Sequence, residues 1–241
     1  MNNIETISDR YSRISENINN ICMKTGRNPD HVKLVVVTKK QSTEKILQVI
    51  QAGASILGEN YPEEGYTKFR AIPENYSVLW HMIGHIQSRK LKYVVEFCSY
   101  VHTIDRLEIA LRLDKEIKQA EKTIPALIEV NLSGEENKFG FGATHQEGRN
   151  QLFHDVEKML QCDAIELLGL MTMPPFTKNA EDSREIFRQC RLLQEELSRI
   201  FNLPSFTQLS MGTSQDYEVA IQEGATFLRI GEAIMGERSY L

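Results

Sequence analysis

Lys39 closes the apolar run Leu34-Val-Val-Val37, and this pairing is the sharpest chemical signal in the 241-residue chain. A β-branched run without polar alternation reads as a strand of a parallel sheet, buried on both faces. An amine held where such a strand ends loses solvation, which lowers its pKa and leaves the neutral form free to attack a carbonyl carbon. A snorkelling loop lysine is the competing reading, helped by the neighbouring Lys40. Two small-residue turns supply a second signal. Ser210-Met-Gly-Thr-Ser214 and Arg229-Ile-Gly-Glu232 each follow an apolar run and each enter a helical pattern. Gly212 and Gly231 let a backbone approach a ligand closely, and amides at a helix start attract anions. Ordinary turn and N-cap chemistry accounts for the same residue types. A Schiff-base lysine together with an anion-binding turn suits a phosphorylated carbonyl ligand. Arg229 only donates hydrogen bonds and stays charged, so against a pyridine nitrogen it would keep that nitrogen unprotonated. A phosphate clamp and a structural ion pair are its alternatives.

His81 and His85 stand four apart in Trp80-His-Met-Ile-Gly-His85, a spacing that puts two imidazoles on one face of a helix. Met82 occupies the position where the metalloprotease pattern needs Glu, so no metal site is expected. Arg89-Lys90-Leu-Lys92 reads as a solvated helix face. Cys22, Cys98, Cys162 and Cys190 form no C-x-x-C pair, which excludes a zinc cluster or a disulfide framework as the organising element.

These residues need a scaffold, and the hydropathy pattern describes one. Ile4, Ile7, Tyr11, Ile14, Ile18 and Ile21 make one helical stripe, stopped by Gly26 and Pro29. This helix, 1–26, is expected to pack on its own domain. Eight strand-like runs then alternate with amphipathic stretches: 34–37, 55–58, 78–83, 100–104, 126–130, 165–171, 206–209 and 226–230. Helices are expected at 42–53, through Lys68, at 106–121, from a capping box Thr144-His-Gln-Glu147, at 181–201 and near 216–222. Eight βα units in 241 residues, with no Pro/Gly/Ser linker, predict a single (β/α)8 TIM-type barrel over 1–241 with an extra N-terminal helix. A doubly wound open sheet is the alternative. In either, reactive groups belong at the C-terminal strand ends, where Lys39, Asn60, His85, Asp105, Asn131, Thr172, Ser210 and Arg229 all fall.

Composition narrows the class further. With 28 Lys and Arg against 33 Asp and Glu the net charge is −5, which argues against a protein that coats nucleic acid. No apolar stretch nears the roughly 18 residues that span a bilayer, and the N-terminus lacks a secretory pattern. A cytoplasmic monomer with neither nucleic-acid nor membrane partners is expected.

Read together, the strand ends resemble one family over nearly the whole chain, the pyridoxal phosphate homeostasis proteins, themselves similar to the N-terminal barrel of alanine racemase. The segments that carry the resemblance are Leu34-Val-Val-Val-Thr-Lys39, Gly58-Glu-Asn-Tyr61, Trp80-His-Met-Ile-Gly-His-Ile-Gln87 and Val130-Asn-Leu-Ser-Gly-Glu135 with Lys138 and Gly140. Leu168-Gly-Leu-Met171, Leu209-Ser-Met-Gly212 and Arg229-Ile-Gly231 with Gly236 and Arg238 complete them. Thr38, Thr213 and Met235 depart from the usual Ser, Met and Phe. The resemblance implies that pyridoxal 5′-phosphate is the cofactor and that Lys39 forms its internal aldimine. It implies that Arg229 faces the pyridine nitrogen, that Asn60 lines the ring, and that Ser210, Met211, Gly231 and Glu232 cradle the phosphate, largely through amides. Strand alternation would put Lys39 and Lys40 on opposite faces. The related racemase takes a second base from a further β domain of the partner subunit, and this chain stops at Leu241 after its eighth strand. A binder without turnover, serving vitamin B6 supply and possible apo-enzyme recipients, is therefore expected, with no catalytic residue. A racemase-like enzyme acting on a small amino acid is the alternative.

Overall fold

The computed structural model describes residues 5–135 and 137–237. Ile4 of the helical stripe and Arg238 of the family segments lie outside them. Helix α1 (Ile7–Lys24) opens on a capping box in which Asp9 and Thr6 satisfy each other's backbone amides. It buries Ile7, Ile14, Ile18 and Cys22. This face packs on the domain itself, against helices α2 (Thr43–Gln51), α8 (Tyr217–Gln222) and α9 (Glu232–Met235). Arg10 Nε donates to the Ile234 carbonyl at 2.6 Å and the Tyr11 hydroxyl to that of Gly53 at 3.0 Å, tying both ends of the barrel chain to one helix.

Strands β1 (Lys33–Val37), β2 (Ile56–Glu59), β3 (Leu79–Met82), β4 (Tyr100–Ile104) and β5 (Ile124–Asn131) pair in sequence, all parallel. β7 (Ile165–Thr172), β8 (Gln208–Ser210) and β9 (Phe227–Ile230) continue from β5 back to β1. The eight strands therefore close into a barrel, and the open-sheet alternative is excluded. Helices α3 (Pro62–Ala71), α4 (Leu91–Phe97), α5 (Leu107–Gln119), α6 (Gln146–Met159) and α7 (Arg184–Ile200) complete the outer ring. Closure follows from the side-chain period of two. Val35, Ile56, Ile83, Tyr100, Leu127, Met171 and Phe227 fill the interior as one cluster. Alternate residues such as Val36, Leu57 and Ile128 pack outward under the helices. Each fully buried apolar side chain contributes about 1.5–3 kcal/mol.

Several local expectations are corrected. A ninth strand, β6 (Phe141–Gly142), pairs with Val130 and Asn131, where β4 no longer reaches β5. That pairing continues through the Ala143 amide, which donates to the Asn131 carbonyl. It delays α6, whose N-cap is His145 with no side-chain cap, so the Thr144 capping box does not form. Residues Ala180–Ser183 are a 3-10 turn preceding α7. Strand alternation does not separate Lys39 from Lys40, because β1 ends at Val37. A turn closed by Gln41 N–H on the Thr38 carbonyl carries both, with Lys40 in a left-handed conformation (φ 57°). Among the described residues no helix is long and apolar enough to cross a membrane.

Candidate functional site

The loop carrying Lys39 rests on a buried polar platform. The Thr38 hydroxyl donates to Glu59 Oε1 at 2.6 Å. Lys68 Nζ, from α3, donates to the same carboxylate at 2.8 Å, to the Thr38 carbonyl at 2.6 Å and to Glu64 at 2.6 Å. The Lys40 amide donates to Glu64 Oε1 at 2.5 Å. Burial pushes the Glu59 carboxyl up, and Lys68 and the Thr38 hydroxyl oppose that shift. Platform and turn thus hold half-buried Lys39 just beyond the end of β1.

Arg229, on β9, is 4% exposed and points into the barrel. Its Nη1 donates to Ser210 Oγ at 2.7 Å and its Nη2 to the Thr172 carbonyl at 3.0 Å. Burial lowers its pKa to about 10, with Glu129 and Asp216 opposing. Ser210 Oγ also lies 2.7 Å from His102 Nδ1, and His102 Nε2 lies 2.9 Å from His81 Nδ1. Because a guanidinium only donates, the Ser210 proton goes to His102 Nδ1 and both imidazoles carry their protons on Nε2. Burial pushes His81 down to about 3 and His102 well below its usual value, so the chain is neutral beyond Arg229. The Ser210 hydroxyl is therefore spent inside the barrel, and the Met211 amide donates to the Phe227 carbonyl.

What remains for an anion is backbone. Among the described residues the amides of Gly212, Gly231 and Glu232 have no acceptor. Gly212 adopts φ +93°, and a Cβ on Gly231 would sit 3.2 Å from Val37 Cβ, so both positions select against larger residues. The Ser214 hydroxyl accepts from the Ala233 amide at 3.3 Å, drawing the two turns together beside the end of β1.

A pocket of about 440 Å³ opens at the same C-terminal barrel face, lined by Asn60, Ile83, His85, Glu129, Lys138 and Met171 among others. Two polar oxygens in its wall, Asn60 Oδ1 and Glu129 Oε2, are buried without a partner among the described residues. Burial raises the Glu129 carboxyl to about 7, Asp105 adding to the shift and Arg229 opposing it. Its unfolded carboxyl ionises near 4.5. Between those pH values the unfolded chain releases a proton that the folded chain retains, so stability falls as pH rises through this window and levels off above it. The full loss is about 3 kcal/mol. Glu129→Gln is expected to remove this slope, gaining stability over the parent at pH 8 relative to pH 5; parallel urea denaturation curves at the two pH values check it.

Sequence reasoning placed Lys39, Asn60, Arg229, Gly231 and Glu232 at one barrel face, and the structure brings their elements together there. It missed Glu129, which lies inside a strand and is marked only as a charge amid Leu127-Ile128 and Val130. It missed the His85–Asp105 pair; the i, i+4 spacing of His81 and His85 is not helical, since His81 lies on β3 and His85 beyond its end, as the strand expected at 78–83 implies. The His85–Asp105 contact joins strand ends 20 residues apart, a separation without local signal.

The barrel is that of the alanine racemase N-terminal domain class: residues 10–239 match the family model of that description. Within it, the chain belongs to the pyridoxal phosphate homeostasis protein family. It is 38% identical to the family's protein from Aquifex aeolicus over 96% of this chain and 98% of that one. It is 32% identical to the Escherichia coli K12 protein over 97% of both. The structure of PipY from Synechococcus elongatus with PLP bound is similar at a TM-score of 0.82 and 26% identity, covering 96% of this chain and all of that one. An alanine racemase of Clostridium difficile shares the fold at a TM-score of 0.67 and 14% identity, over 91% of this chain and 54% of that one.

Proposed function

We propose that this chain binds pyridoxal 5′-phosphate and serves vitamin B6 homeostasis, holding the cofactor covalently on Lys39 without net turnover. The observation that carries the reading is the convergence at one barrel face of Lys39, the unpartnered Asn60 and Glu129 oxygens, Arg229 and the amides of Gly212, Gly231 and Glu232. The relatives' name and the PLP-bound PipY support the same ligand.

The donor set fits the group. Free amides at Gly231 and Glu232, with Gly231 leaving room where a Cβ would press on Val37, suit a phosphate. Lys39 supplies the amine that holds the aldehyde. Asn60 lines the ring, and Arg229 faces its nitrogen as a donor that cannot give up its proton readily. When bound, the cofactor supplies an electron sink for bonds at the carbon next to an amine. An arginine at the ring nitrogen weakens that sink, which suits storage and release better than catalysis. Ser210 and Met211 act at one remove: the hydroxyl fixes the Arg229 fork, and the Met211 amide locks the turn that presents Gly212. The chain works as one unit with α1 packed on the barrel, as a cytoplasmic monomer, and apo forms of pyridoxal-phosphate-dependent enzymes are its recipients.

Purified protein mixed with pyridoxal 5′-phosphate and reduced with borohydride is expected to gain one phosphopyridoxyl group, on the tryptic peptide containing Lys39. A mass spectrum without that adduct, or with it elsewhere, rejects the reading. Loss of the colour on mixing with a colourless apo-enzyme that thereby becomes active tests the recipient role.

A further inference from the structure

The pocket contains a titratable pair that cofactor holding does not use. His85 lines it, and its Nδ1–H donates to Asp105 Oδ2 at 2.5 Å. A carboxylate oxygen only accepts, so Nδ1 carries the proton of this bond and Nε2, on the opposite ring edge, is the nitrogen left for a ligand. The Asp105 side chain is 2% exposed and is tied by Arg106 Nη1 at 2.7 Å, while Arg106 Nη2 donates to the Ile86 carbonyl at 3.2 Å. Phe139 stacks on the imidazole with ring centres 3.8 Å apart and 17° between planes. Tautomer, orientation and one ring face are all fixed. An imidazole aimed in this way by a buried carboxylate, with its second nitrogen available at a ligand cavity, has the arrangement of a general base.

Resting on the reading that Lys39 holds pyridoxal 5′-phosphate at this barrel face, beside the pocket that Asn60 and Glu129 share with His85, we propose that His85, positioned by Asp105, removes and returns the α-proton of an amino acid joined through its nitrogen to the bound cofactor. The Cα–H bond breaks, the proton passes to Nε2, and the electron pair is taken into the conjugated ring. Reversal at the same face restores the same amino acid. Isotope exchanges without net product, and neither an oxidant nor a second base is required. The charged groups around the imidazole are Asp105 and Arg106 after β4, Glu129 on β5, Lys138 beyond β5 and Lys90 in the turn after β3.

Two readouts test this. The first needs no cofactor: acylation of histidines by diethyl pyrocarbonate, located by peptide mass spectrometry. His85 is expected to react in the wild type and about tenfold more slowly in Asp105→Asn, the usual size of losing an orienting partner. Equal rates overturn the dyad. In the second, protein loaded with pyridoxal 5′-phosphate is incubated with L-alanine in D₂O and the α-proton signal is followed by NMR. The wild type is expected to exchange it, with His85→Gln at least about tenfold slower and still yellow. Exchange that persists unchanged in His85→Gln, or that is absent from yellow wild type, overturns the proposal alone. A wild type that takes up no cofactor overturns the cofactor reading and this proposal with it.

Discussion

Lys39→Ala is expected to lose the borohydride-trapped adduct entirely, whereas Lys40→Ala retains it. The two lysines are adjacent and chemically identical, so the contrast isolates position. Lys39 follows Thr38, whose amide donates to the Gly58 carbonyl and whose hydroxyl is held by Glu59; it sits half-buried above that platform. Lys40 is exposed, in a left-handed turn, with its amide on Glu64. An amine at the end of a buried strand is partly desolvated and fixed in direction, and both effects favour attack on an aldehyde. Without Lys39 the acceptor-free amides of Gly212, Gly231 and Glu232 are unchanged, so weak non-covalent binding is expected to persist. An apparent affinity lower by about 100-fold corresponds to about 2.7 kcal/mol. Equilibrium dialysis against pyridoxal 5′-phosphate measures that loss, and peptide mapping after reduction reads the adduct. An adduct that moves to Lys40 with undiminished affinity would show that the turn, and not the residue, selects the amine.

Lys68→Met is expected to destabilise the fold by about 3–5 kcal/mol, the cost of removing one partner from a buried ion pair. Lys68 is 6% exposed and Glu59 fully buried, and Lys68 Nζ is bonded to the Glu59 carboxylate at 2.8 Å. Methionine fills the aliphatic volume, leaving the change electrostatic. The lost ammonium also releases the Thr38 carbonyl, so the Lys39 turn loosens and cofactor loading falls together with stability. Adding Glu59→Gln to Lys68→Met is expected to recover part of the loss, since the uncompensated carboxylate is then gone. Urea denaturation of the single and double variants, read beside borohydride loading, makes the comparison. A single variant within 1 kcal/mol of the parent, an amount of about the size of an exposed pair, would mean that water reaches this platform.

The parts of the molecule legible in the chain are those encoded over short distances. Val35, Val36 and Val37 announce a doubly buried strand, and the same pattern recurs eight times with helical stretches between. The resulting count is that of a barrel. Each strand end can be read as well, because the change from apolar to polar at Thr38, Asn60 or Ser210 marks where backbone leaves the sheet. Boundaries shifted where a tertiary contact outweighed a local signal. Thr144 is a good cap by type, yet the Ala143 amide bonded to Asn131 keeps the chain extended past it.

Which strand ends touch is a different kind of information. His85 meets Asp105 because β3 and β4 pair side by side, and Arg229 reaches Ser210 and Thr172 because β9, β8 and β7 are neighbours. His102 reaches Ser210 across the barrel because the sheet closes between β4 and β5. The protonation preferences are likewise products of closure. Glu129 rises to about 7 and His81 falls to about 3 because the barrel removes water around them. Side-chain type and alternation act within a few residues, so the order of the chain itself specified a barrel and an aminated first strand end. Desolvation and contacts between strands depend on curvature and stagger accumulated over all eight, so the depth of the pocket, its orphaned oxygens and its imidazole–carboxylate pair were decided by the assembled fold.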